Sequence, residues 1–134
     1  MTKLWPPSPT EVKELKKIIK DDLKMPKGWR TKKIHRGNFE LIVYINLKKQ
    51  LVCKAPAILM GREVEGITLP TIQLGNGWVL QPLCTFEDRS AALCSVVRRI
   101  VKLSDKFRGK TYKFGDVHLW NVGRWKKRPY LFDW

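Results

Sequence analysis

The three residues Gly75-Asn76-Gly77, set between apolar and β-branched runs at 66–74 and 78–86, constrain the chain more than any other feature. Asn-Gly accepts the left-handed backbone that a two-residue hairpin loop needs, so the flanking runs are predicted to fold back on each other as antiparallel strands. The runs 39–47 and 51–59, on either side of Lys48-Lys49-Gln50, repeat the pattern and predict another hairpin. The middle of the chain is therefore expected to be an antiparallel sheet of at least four strands.

Helices are expected on both sides of that sheet. Ser8-Pro9-Thr10-Glu11 is a capping-box pattern with proline at the first helical position, where its missing N–H is harmless. Val12, Leu15, Ile18, Ile19 and Leu23 follow at helical spacing until Met25-Pro26-Lys27-Gly28 stops the run. Such a basic amphipathic helix packs on its own domain, lies on a membrane or fills a partner's groove. Asp88 is placed to cap a further helix whose stripe comprises Ala92, Leu93, Val96, Val97, Ile100, Val101 and Leu103, ending near Gly109. Short strands and loops are expected from 110 to 134. The reading is one α+β domain of 134 residues: an N-terminal helix in 1–28, an antiparallel sheet in 29–86, and a helix with a loop segment in 87–134.

Charge narrows the partners. The chain carries a net +15, and the excess is uneven: 1–37 hold eleven Lys/Arg against four Asp/Glu, 38–97 five against five, 98–134 eleven against three. A neutral middle between two basic flanks is either a solvated surface or a face that meets phosphates or an acidic protein. Cys53, Cys84 and Cys94 are odd in number and form no CxxC pair, which speaks against a disulfide framework and for a reducing compartment. The first residues lack an apolar signal region, and no window has the apolar length to span a bilayer. A cytoplasmic location without membrane association is expected.

The chemistry is concentrated near the C-terminal end. Phe114-Gly115-Asp116-Val117-His118-Leu119-Trp120-Asn121 follows the expected helix, and Tyr130-Leu131-Phe132-Asp133 closes a short apolar run twelve residues beyond Asn121. The form G-D-x-H-x-x-N, then a strand ending in Asp, resembles the catalytic and metal loops of the protein-kinase superfamily, especially its aminoglycoside-phosphotransferase-like branch. The resemblance implies Asp116 as the base for an acceptor hydroxyl, Asn121 and Asp133 as Mg²⁺ ligands, His118 as a loop-bracing residue, and ATP with Mg²⁺ as cofactors. It also implies a hinge strand at 78–83 and Lys54, in Val52-Cys53-Lys54, as the phosphate lysine; a solvent-facing strand lysine is the other reading of Lys54. No G-x-G-x-x-G precedes Lys54, and Glu63 and Glu65 are the candidates for the pairing glutamate that the resemblance implies. With the sequence ending one residue after Asp133, the resemblance implies a truncated fold, a small lobe plus the start of a large one.

Three functions follow as expectations. One is a minimal Mg-nucleotide-binding phosphotransferase of phage or bacterial origin. Another is an inert, pseudokinase-like basic protein that grips an acidic host protein, acting in the host cytoplasm if phage-encoded, with Lys126, Lys127 and Arg128 in its binding surface. The last is nucleic-acid recognition, with Trp5, Trp29, Tyr112, Trp120, Trp125 and Tyr130 stacking bases while the Lys126-Lys127-Arg128 run tracks phosphates. Activity, acceptor and oligomeric state are left open.

Overall fold

The computed structural model describes residues 5–36, 39–56, 64–106 and 121–132. The architecture is α+β: α1 (Pro9–Lys20), β1 (Arg30–Arg36), β2 (Phe39–Asn46), β3 (Leu51–Ala55), β4 (Ile72–Gly75), β5 (Trp78–Pro82), α2 (Arg89–Lys106), β6 (Val122–Trp125) and β7 (Arg128–Leu131). The chain divides into two compact units, 1–58 with 71–83 and 59–70 with 84–134.

The first unit is a five-stranded antiparallel sheet in the order β1-β2-β3-β5-β4 with α1 on one face. Ser8 Oγ accepts the Glu11 N–H at 3.2 Å and Pro9 opens the helix, as the sequence predicts. Leu15 is buried against Leu51, Cys53, Leu74 and Leu80, with Val12 and Ile19 packed beside it. The helix ends at Lys20, six residues before Pro26, so Leu23 falls outside the stripe and is 53% exposed. Asn76 and Gly77 turn the β4–β5 hairpin with φ of 51° and 79°, the mirror-image geometry expected of Asn-Gly. At the β2–β3 turn Asn46 Oδ1 accepts the Lys49 N–H at 3.0 Å.

Two strand expectations need correction. The segment Arg30–Arg36 is a strand absent from the sequence reading, because Arg-Thr-Lys-Lys-Ile-His-Arg shows no apolar alternation. It is an edge strand, and Arg30, Thr31, Lys32 and Lys33 are exposed, a charged edge that resists pairing with other chains. Of the run 66–74 only 72–74 joins the sheet, in the strand Ile72–Gly75. Its start is held in a turn instead: Thr68 Oγ1 accepts the Val64 N–H at 2.8 Å and donates to the Val64 carbonyl at 3.1 Å, with Gly66 at φ +82°.

In the other unit α2 packs on the β6–β7 hairpin around Ile67, Ala92, Val96, Val122 and Leu131. Both edges of this hairpin are paired. Leu131 N–H donates to the Ile67 carbonyl at 2.8 Å and its own carbonyl accepts Leu69 N–H at 2.7 Å, while Thr85 and Arg124 exchange two bonds of 2.8 Å. Asp88 precedes α2 at φ 46°, and its carbonyl accepts the first helical bond, from the Ala92 N–H at 2.9 Å. The apolar stripe is narrower than expected, since Val97 and Val101 are 40% and 52% exposed. The residue that joins the buried face is Arg99, three positions after Val96 and four before Leu103. No helix among the described residues is long and apolar enough to cross a membrane.

Candidate functional site

Lys54 lies on β3, the middle strand of the five, paired with Val43 of β2 and Val79 of β5. Because side chains alternate along a strand, the neighbouring Cys53 faces α1 and Lys54 takes the opposite face. There it is 4% exposed and shares the surface with the buried Val43, Val79 and Gln81. The solvent-facing reading of Lys54 is therefore overturned. An ammonium removed from water demands acceptors or anions around it, and Lys54 is engaged in interactions at this place. Two cations of the edge strand, Arg30 and Lys32, pair with Ile45 and Val43, so by register they fall on the same face as Lys54.

In the second unit Asn121 stands immediately before β6 and is completely buried. Its carbonyl accepts the Phe132 N–H at 3.1 Å, closing the open end of the β6–β7 hairpin. The strand predicted to end at Asp133 is β7, which runs through Leu131. Asp116, His118 and Asp133 themselves, together with Glu63, lie outside the described residues. Of the expected chemical set, then, Lys54 belongs to the sheet unit and Asn121 to the helix–hairpin unit. Among the described residues, no group of three or more His, Cys, Asp and Glu is placed to hold a metal ion.

Lys126 and Lys127 form the tip of the β6–β7 hairpin and Arg128 opens β7; all three are exposed. The tip has an unusual backbone. Lys126 and Lys127 have φ of 51° and 64°, the left-handed region where a side chain costs roughly 1–2 kcal/mol per residue and where Asn-Gly is the usual pair. Lys126 Nζ sits 4.6 Å from the centre of the Trp125 ring, which in turn lies 5.9 Å from the Tyr130 ring. Cation–π attraction thus holds one of the two ammonium groups over an aromatic face. Sequence reasoning found this run by its charge, and the strain in it becomes visible only in the folded backbone.

Sequence reasoning missed Arg99 and Lys102. Both lie on α2, read for its apolar residues alone; the available signal was an arginine at a position of the buried stripe with a cation one turn further on. Compared with family models, curated proteins and solved structures, the chain matches none.

Proposed function

We propose that the chain is a minimal kinase-like protein that binds a magnesium nucleotide. In this reading Lys54 meets the nucleotide phosphates, and Asn121 and Asp133 offer the oxygen ligands a hard cation prefers. Asp116 orients an acceptor hydroxyl, and His118 braces the loop. The observation that carries the reading is the burial of Lys54 in the middle strand of a small antiparallel sheet. The order of elements adds support, because a strand, a helix, the D-x-H-x-x-N segment and a short apolar strand succeed each other as the resemblance implies, with β6 as an additional strand before the last.

Thermal melting with and without Mg-ATP tests it, using wild type, Lys54→Met and Asp133→Ala. A ligand at one hundred times its dissociation constant stabilises the native state by about 2.7 kcal/mol, so wild type should melt several degrees higher with Mg-ATP and each variant should lose most of that shift. An unchanged wild-type midpoint would sink the proposal.

A second reading is favoured by the hairpin tip. Holding two lysines where Asn-Gly would be relaxed is the kind of local strain that persists for a functional reason. Here the protein is an inert basic scaffold whose Lys126, Lys127 and Arg128 grip an acidic protein or nucleic acid. Charge reversal at Lys126 and Lys127 should then abolish binding to polyglutamate and to single-stranded DNA at low salt, while any Mg-ATP shift survives.

A further inference from the structure

An open cavity of about 230 Å³ in the helix–hairpin unit is lined by Arg99 and Lys102 of α2, Arg128 of β7, and the turn Glu65-Gly66-Ile67, with Leu103 at its side. Three cations thus surround it against one carboxylate. Arg99 is the fixed member. Its Nη1 donates to the Gly66 carbonyl and its Nη2 to the Pro129 carbonyl, so the guanidinium ties the turn to the hairpin. The Tyr130 ring lies 5.5 Å from its Cζ. A guanidinium has five N–H donors, and the buried Nε–H of Arg99 has no acceptor among the described residues. Gly66 shapes the rim through its backbone: φ of +82° favours glycine, while a Cβ there would make only an ordinary contact with Arg128 Nη2 at 3.8 Å.

We propose that this cavity is an anion site that takes the phosphate group of a small ligand, with Lys102 and Arg128 as the exposed cations and Arg99 as the one tied to the backbone. Two arginines and a lysine gathered around one space repel each other, and the single carboxylate of Glu65 offsets one of the three charges, which leaves an excess for an entering anion to neutralise. Burial, and next the charge of Arg128, lower the pKa of Arg99, so the protein already bears part of that repulsion. Guanidinium and ammonium groups match phosphate oxygens by charge-assisted hydrogen bonds. The volume falls below the roughly 300–1,000 Å³ of pockets for drug-sized molecules, which suits a phosphate or diphosphate group. The site lies within one unit, and it involves neither Lys54 nor a metal ion.

Titration with inorganic pyrophosphate in the absence of magnesium, followed by amide NMR of the full chain, tests this. The amides of Gly66, Ile67, Lys102 and Arg128 should shift saturably, and sodium chloride at matched ionic strength should leave them in place. Lys102→Gln and Arg128→Gln, both at exposed positions, should each weaken the affinity by about tenfold, as expected for one lost charge-assisted bond. In Lys54→Met the Gly66 and Arg128 amides should respond to pyrophosphate as in wild type, whatever happens to amides near Lys54, which separates this site from the nucleotide reading. The same shifts at lower concentration with a 12-nucleotide DNA strand would identify the phosphate source as a nucleic-acid backbone. No saturable shift at Gly66, two Gln variants that bind as wild type, or loss of the Gly66 shift in Lys54→Met would each overturn the proposal.

Discussion

At the scale of single residues, the three cysteines differ more than their sequence suggests. Cys53 is completely buried and burial pushes its thiol up to about 12 from 9.0, whereas Cys94 is exposed. A thiol reagent at pH 8 should modify Cys94 rapidly and Cys53 only when the protein unfolds, as peptide mass spectrometry would reveal. The raised value also has a pH consequence. Below pH 9 the thiol is protonated in both folded and unfolded chains; between 9 and about 12 the folded form alone keeps the proton, so stability falls as pH rises through that window. Cys53→Ala should remove this alkaline decline, measured as the pH-dependent part of the difference between the two urea midpoints. Gly123 is a second residue set by its surroundings. A Cβ there would lie 2.6 Å from Cys84 Cβ and 3.2 Å from Phe86 Cε1, so Gly123→Ala should destabilise by about 1–3 kcal/mol in urea unfolding.

At the scale of elements, turn chemistry was legible where the residues matched the geometry and silent where they did not. Asn76-Gly77 announces its hairpin because its residues favour positive φ; Lys126-Lys127 forms a turn of the same hand with residues that do not. Lys126→Asn with Lys127→Gly should therefore raise the thermal midpoint by relieving roughly 1–2 kcal/mol per residue, while lowering affinity for DNA or polyglutamate. A lower midpoint would show that the lysine turn is not strained, and unchanged polyanion binding that these lysines serve no anionic partner. The helices teach a related lesson. The start of α1 could be read because Ser8, Pro9 and Glu11 interact within one turn. The anchoring of the half-buried Arg99 could not, because its acceptors are carbonyls 33 and 30 residues away in sequence.

For the whole molecule, the net charge of +15 dominates behaviour in solution. Like charges destabilise the compact state, and the screening length falls from about 30 Å at 0.01 M salt to about 8 Å at 0.15 M. The melting temperature should rise over that range in sodium chloride, and rise further in phosphate at equal ionic strength; equal curves in the two salts would argue against phosphate as a preferred anion. Local composition determined that α1, the β2–β3 and β4–β5 hairpins and α2 would form, since each follows from periodicity and caps within a few residues. The tertiary structure alone decided that the basic run Arg30–Arg36 would be an edge strand, that Lys54 would be buried, and that Arg99, Lys102 and Arg128 would border one cavity. Those outcomes depend on which strands become neighbours and which distant carbonyls meet a side chain, and such pairings between remote segments leave no periodic trace in the sequence.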